Sequence, residues 1–175
     1  ASETIARLFN SMTELSRMES GGEPAVPEEF DLAGHLPGWV QRHLLAARKQ
    51  GLRLRLRMAG SLAGARVSTD PVLLERVVDN LLNNAIRYTR TGGVLVGLRR
   101  AGSGGIVLEV WDTGIGIDPA HVRRIFDPSR PLDQPERDGR ERVGLGLAIV
   151  QRGVDLLGLG LDVRSMPGRG TRFRV

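Results

Sequence analysis

Residues 110–119 read VWDTGIGIDP. An apolar strand runs into Asp112, and the chain then gives up side chains at Gly114 and Gly116. Glycine in such a place costs backbone entropy and contributes no packing. The pattern therefore predicts a close approach to the main chain there, with the Asp112 carboxylate aimed at whatever approaches.

Upstream, VLVGLRR (94–100) and IVLEVWD (106–112) flank AGSGG and read as a hairpin. Downstream, Asp118 and Pro119 predict a short helix ending near Phe126. Residues 127–143, DPSRPLDQPERDGRERV, are polar and proline-rich without an apolar period. Loops of that length in compact domains are functional or disordered. Gly144 leads into a helix over about 145–157, and LDVRS, a turn at MPGRG and TRFRV predict a second hairpin. Asp70 followed by Pro71 is a strong helix start. From there Leu73, Leu74, Val77, Val78, Leu81, Leu82, Ala85 and Ile86 trace one apolar stripe. LRLRLR (52–57) alternates strictly, which predicts a half-buried strand with leucines inward, and a short strand is expected near Val67. Asp31 can cap a helix running to about Gln50, with Pro37 delaying or bending it and Gly51 ending it. Ile5, Leu8, Met12 and Leu15 have the spacing of a helix-bundle seam. The order predicts an α+β fold, a two-layer sandwich of one mixed β-sheet and one layer of helices. Residues 1–20 form a partial helix, 21–30 a linker, and 31–175 the main domain.

The composition suits a soluble globular domain, with 41% hydrophobic and 26% charged residues. No run approaches the roughly 18 apolar residues of a membrane span, and no signal-peptide pattern opens the chain. The absence of cysteine removes disulfides and thiolate metal sites and fits a reducing compartment. The net charge is +5, carried by 25 Lys+Arg of which only Lys49 is lysine. The arginines are scattered and aromatics make up 4%, so nucleic acid is not an expected partner. Basic charge also suits a phosphorylated ligand.

On NLLNNAIRY (80–88), Asn80, Asn84 and Arg87 fall at i, i+4 and i+7 and share a helix face. An amide oxygen can complete an Mg²⁺ shell filled otherwise by phosphates and water, and an arginine can neutralise phosphate. A solvated amphipathic helix would present the same face. Asparagine is a poor helix former, and three of them (Asn80, Asn83, Asn84) favour the functional reading. Gly144 and Gly146 before a helix can offer N–H groups to a phosphate, although a turn explains each glycine segment equally well. The spacings exclude a P-loop and the strand–GxGxxG–helix pattern.

Taken in order, NLLNNAIRYT, DTGIGI, GLGLAIV and GRGTRF resemble the N, G1, G2 and last glycine boxes of the ATP-binding catalytic domain of sensor histidine kinases. That is the GHKL or Bergerat fold shared with Hsp90, gyrase B and MutL. The resemblance covers about residues 28–175, and LSRMESG resembles the end of the second dimerisation helix of the same kinases. It implies that Asp112 accepts from the adenine amine, with Thr171 assisting through water. Asn84 would hold Mg²⁺ and Asn80 would stand beside the phosphates. Arg87 occupies a usual lysine position, and Tyr88, Gly114, Gly116 and Ile117 would line the nucleotide. Gly144, Leu145, Gly146 and Leu147 would meet the phosphates, and 127–143 would be the lid. Two departures bear on lid closure: Ser129 stands where a second aromatic often follows Phe126, and Arg142 where the G2 box often begins with glycine. QPERD (134–138) resembles the lid tail of hybrid kinases, which carry a receiver domain downstream.

The ATP-hydrolysing relatives have Glu where Asn80 stands, so the resemblance implies transfer to a protein histidine rather than hydrolysis. His35, His43 and His121 lack the following acid of the family's phosphoacceptor, which is expected elsewhere in the full protein. Expected partners are that dimerisation and phosphoacceptor domain, a second copy in the full-length homodimer, and the receiver domain of a response regulator. The expected setting is the cytoplasmic side of a membrane-anchored bacterial protein. A non-catalytic nucleotide-binding scaffold, or a protein-serine kinase of the anti-sigma type, would use the same nucleotide fold.

Overall fold

The computed structural model describes residues 9, 12–13, 15–18, 24–102, 104–122, 124–127 and 145–175. The elements are β1 (Glu28–Asp31), α1 (Leu32–Gln41), α2 (Leu44–Lys49), β2 (Arg53–Met58), β3 (Arg66–Thr69), α3 (Pro71–Tyr88), β4 (Gly93–Arg100), β5 (Ile106–Asp112), α4 (Leu145–Leu157), β6 (Asp162–Met166) and β7 (Gly170–Arg174). The main sheet has the order β2-β4-β5-β7-β6. Its β2–β4 pair is parallel and its other pairs are antiparallel, so the sheet is mixed and the α+β expectation holds. One face buries Val94, Val96, Leu98, Leu108, Val110 and Phe173 against the helices.

α3 organises that core. Asp70 caps it by accepting from Leu73 N–H at 2.9 Å, and Asp70 Oδ2 also takes Val26 N–H at 2.9 Å. The eight apolar residues of the predicted stripe are its buried residues. α4 lies along α3 closely enough that a Cβ on Gly153 would stand 2.7 Å from Val77 Cγ2.

Several expectations are corrected. The helix expected over 31–50 is two helices. The two are separated at Arg42 and His43, which bind α3, with His43 Nε2 2.9 Å from Asp79 Oδ1 and Arg42 paired to Glu75 and Asp79. The main sheet is joined by a second, two-stranded sheet. Glu28–Asp31, whose first three residues fall in the stretch expected as linker, form β1 and pair antiparallel with β3. Alternation over four residues is too short to signal such a strand without its partner. The helix expected after Asp118 is a series of turns among the described residues, with Asp118 Oδ1 accepting from Ala120 N–H at 2.8 Å. Of the N-terminal seam, Met12 is 67% exposed whereas Leu15 is buried, together with Met18 outside the expected seam, in a cluster with Leu73, Ala148 and Ile149. Ile5, Leu8, Gly144 and residues 128–143 of the expected lid lie outside the described residues.

Candidate functional site

β5 ends at Asp112, where the chain leaves the sheet between β4 and β7; Asp112 is in register with Val94 and Thr171. Asp112 Oδ1 accepts from Gly114 N–H at 2.8 Å and Thr171 N–H at 3.2 Å. Among the described residues Oδ2 has no donor. Burial raises the Asp112 pKa above its ordinary value, and the two backbone donors oppose that shift without cancelling it. One carboxylate oxygen is thus held in place while the other is left for a hydrogen-bond donor.

The glycines that follow admit close neighbours from the protein itself. A Cβ on Gly114 would run into Tyr88 O, and one on Gly116, at φ +69°, into Met166 O. The protein's own backbone thus approaches closely at both glycines. Ile115 N–H donates to Tyr88 O at 3.2 Å, and Gly168 N–H donates to Ile115 O at 2.8 Å. The loop is thereby clamped between the end of α3 and the β6–β7 turn, which fixes Asp112 at the sheet edge of the loop.

Thr171 is buried and its hydroxyl lies 2.9 Å from Ser165 Oγ. Ser165 donates to Gly170 O at 3.0 Å and accepts from Ile117 N–H at 2.7 Å. The serine ties Ile117 and Thr171 together beside Asp112. Its only sequence signal is a small polar residue on β6 among alternating positions, which is too common to single out.

The second half of the site is the polar face of α3. Asn80 Nδ2 donates to Arg76 O at 2.9 Å. Asn84 Nδ2 is buried without a partner, and its side chain makes no hydrogen bond to a described residue. Both amides face the first turn of α4, since a Cβ on Gly146 would lie 3.2 Å from Asn80 Oδ1 and 3.3 Å from Asn84 Nδ2. Glycine leaves that space open. Arg87 and Tyr88 follow on the same helix, with Arg87 Cζ 5.8 Å from the Tyr88 ring centroid. Leu145 and Leu147 pack their partly buried side chains against apolar clusters. The structure therefore gathers Asp112, Gly114, Gly116, Ile117 and Thr171 into one group and Asn80, Asn84 and Gly146 into another. The Tyr88–Ile115 bond joins the C-terminal end of α3 to the Asp112 loop.

The buried Asn84 Nδ2 is a donor without a partner among the described residues and suits a ligand oxygen such as that of a phosphate, which leaves the amide oxygen for a cation. Among the described residues no group of three or more His, Cys, Asp or Glu could hold a metal. A cation here would rest on an amide and on oxygens supplied by its ligand, as Mg²⁺ does beside phosphates. The residues present fit that mode.

The family model described as histidine kinase-, DNA gyrase B-, and HSP90-like ATPase matches residues 69–175. The chain is 31% identical over 182 residues to the sensor histidine kinase RcsC of Escherichia coli K12, covering 100% of this chain and 18% of RcsC. It is also 31% identical over 175 residues to the sensor protein SrrB of Staphylococcus aureus, covering 99% of this chain and 29% of SrrB. The chain thus spans less than a third of these relatives. Among solved structures, full-length ShkA in complex with AMPPNP superposes with a TM-score of 0.82 at 26% identity, covering 98% of this chain and 35% of ShkA. The catalytic domain of the histidine kinase ThkA shares the fold, with a TM-score of 0.70 at 21% identity over 85% of this chain and 93% of that domain.

Proposed function

We propose a function that starts from the family: the chain belongs to the histidine kinase-, DNA gyrase B-, and HSP90-like ATPases. It is the ATP-binding catalytic domain of a two-component sensor histidine kinase, and it presents the γ-phosphate of ATP to a histidine of the same full-length protein. The observation that carries this reading is Asp112, a half-buried carboxylate with one oxygen held by two backbone donors and the other without a donor among the described residues, where an exocyclic amine can reach it.

In this reading Asp112 accepts from the adenine amine, and the Thr171 hydroxyl, positioned by Ser165, orders the water beside it. Gly114, Gly116 and Ile117 hold the loop in shape. Asn84 and the oxygens of the triphosphate hold Mg²⁺, which when bound neutralises phosphate charge. Asn80, Arg87, Tyr88 and the backbone of Gly144, Leu145, Gly146 and Leu147 surround the phosphates at the positive end of α4. Catalysis would then be positioning and charge neutralisation. No carboxylate stands at Asn80 to activate water, which favours transfer over hydrolysis. The three histidines fit the same division of labour. His43 is buried on Asp79 and His35 donates to Asp31 O, and none of the three histidines is followed by an acidic residue, so the acceptor is proposed to lie in the dimerisation domain. That domain, a second copy in the homodimer and a response-regulator receiver domain are the proposed partners. The full-length protein is proposed to be membrane-anchored with this domain in the bacterial cytoplasm; no described helix is long and apolar enough to cross a membrane.

The test is calorimetric titration with ATP and Mg²⁺, followed by reconstitution with the dimerisation helices and radiolabelled ATP. The reading expects Mg²⁺-dependent binding and acid-labile phosphohistidine. Absence of binding, or acid-stable phosphoserine, overturns it.

A further inference from the structure

The face of the main sheet turned away from the helices is built from alternate residues of its strands. Arg53, Arg55 and Arg57 of β2 stand beside Gly93, Leu95 and Gly97 of β4. Leu95 and Gly97 in turn stand opposite Trp111 and Glu109 of β5. Gly97 adds no side chain, and a Cβ there would lie 3.9 Å from Glu109 Cβ. The result is a shallow trough over β4 with Leu95 on its floor. One wall is the arginine row and the other is Trp111 with Glu109. The walls stand two strand spacings apart, about 9.5 Å.

The two walls differ electrostatically. Glu109 is committed to Arg99 at 2.9 Å and lies 4.0 Å from Arg172, and Asp162 pairs with Arg172 at 2.7 Å. Arg172 also stacks on Trp111, its Cζ 5.2 Å from the ring centroid. The carboxylates of this face are thus already neutralised. Arg53, Arg55 and Arg57 are exposed and make no ion pair or hydrogen bond to a described residue. Like charges on one strand face repel. Charge on an edge strand guards against edge pairing, but that task needs neither a single sign nor an apolar floor beside it. Trp111 is 42% exposed on the opposite wall.

We propose that this trough docks an extended acidic segment of a partner protein, with alternate carboxylates on Arg53, Arg55 and Arg57 and the intervening apolar side chains against Leu95 and Trp111. Side chains on one face of a strand repeat every ~6.6–6.8 Å, so an extended peptide laid along β2 meets the arginines in register. Guanidinium takes carboxylate in a two-pronged geometry. A polynucleotide is a poorer fit because it needs a row of stacking aromatics, and this face has one, half occupied by Arg172. The surface lies on the opposite side of the sheet from the α3 site.

The test uses the full chain with Trp39→Phe, which leaves Trp111 as the reporter because Trp39 is the other of the two tryptophans and is buried. The probe is a short peptide in which Glu alternates with Leu. The expected result is a blue shift of Trp111 emission on binding, weakened by salt. The triple variant R53E/R55E/R57E is expected to lose roughly tenfold or more in affinity, as three rim ion pairs together allow. Should the triple variant fail to fold by melting temperature, Arg55→Gln alone is expected to weaken binding about two- to fivefold. Unchanged affinity in the folded variants, or no binding by the wild-type chain, overturns the proposal. So does tighter binding of phosphatidylglycerol vesicles or of oligothymidylate than of the peptide.

Discussion

At the scale of the residue, Asp112 and Asn84 carry the proposal because each is arranged for something other than its neighbours. Gly114 N–H and Thr171 N–H require an oxygen at the Oδ1 position. In Asp112→Asn those donors would keep the amide oxygen and turn the NH₂ toward the adenine amine, setting donor against donor. The expected cost is about 2–3 kcal/mol, or roughly 30- to 150-fold in nucleotide affinity by calorimetry. Unaltered affinity would remove Asp112 from the base-reading role. The direction of its pKa shift makes a second prediction. Burial raises the folded-state value, so protonation begins at a higher pH than for an ordinary carboxylate. Affinity should fall as pH falls through that raised value, and Asp112→Asn should lack this step. For stability the sign is opposite. The folded state holds this proton more tightly than the unfolded chain, so the group's penalty is absent below the unfolded value near 3.8. It grows as pH rises through the folded value. For Asn84→Ala, titration with ATP in the presence and absence of Mg²⁺ should give one affinity, because the amide that answers the cation is gone. A retained Mg²⁺ response would place the cation elsewhere.

At the scale of the element, the α3–α4 contact decides whether the two halves of the site meet. Gly146 and Gly153 lie two turns apart on α4 and both face α3, the first against the asparagines and the second against Val77. Gly153→Leu would force side-chain volume into a packed interface and is expected to cost about 1–3 kcal/mol in denaturant unfolding. An unchanged midpoint would mean that the helices are less tightly apposed than the Val77 contact requires. The rest of α3 was plain in the chain's own pattern, since its cap, its proline at the first turn and its stripe are local signals. The break between α1 and α2 was not. It coincides with the contacts of Arg42 and His43 to Asp79, thirty-odd residues away, and no local window along the chain contains both partners. The carboxylate of Asp79 illustrates the strength of that tie. Burial pushes its pKa up, yet the hydrogen bonds and charges of His43 and Arg42 bring it below the ordinary value.

At the scale of the molecule, the N-terminal helical residues belong to the packing of the catalytic body. Leu15 and Met18 sit on Leu73, Ala148 and Ile149, and Arg152 donates to Met18 O at 3.0 and 3.2 Å. Met12, on the same expected seam, is exposed. Leu15→Ala should therefore destabilise the whole domain by about 2 kcal/mol, shifting thermal unfolding without altering nucleotide affinity at saturating fold. A melting temperature equal to wild type would mean that this helix is carried passively.

Sequence alone determined what depends on neighbours in the chain. The period of α3, its Asp70 cap, the strands and hairpins from β4 to β7 and the ordered boxes around Asp112 are written in spacings of a few residues, because helix and strand geometry repeats over that distance. The tertiary structure decided whatever needs two distant segments at once. It decided which backbone Gly114 and Gly116 admit, that Ser165 joins Ile117 to Thr171, that β1 pairs with β3, and that Asn84 Nδ2 has no partner among the described residues. Hydrogen bonds and excluded volume act over a few ångströms in space, and the chain's order does not record which of its segments are brought within that range.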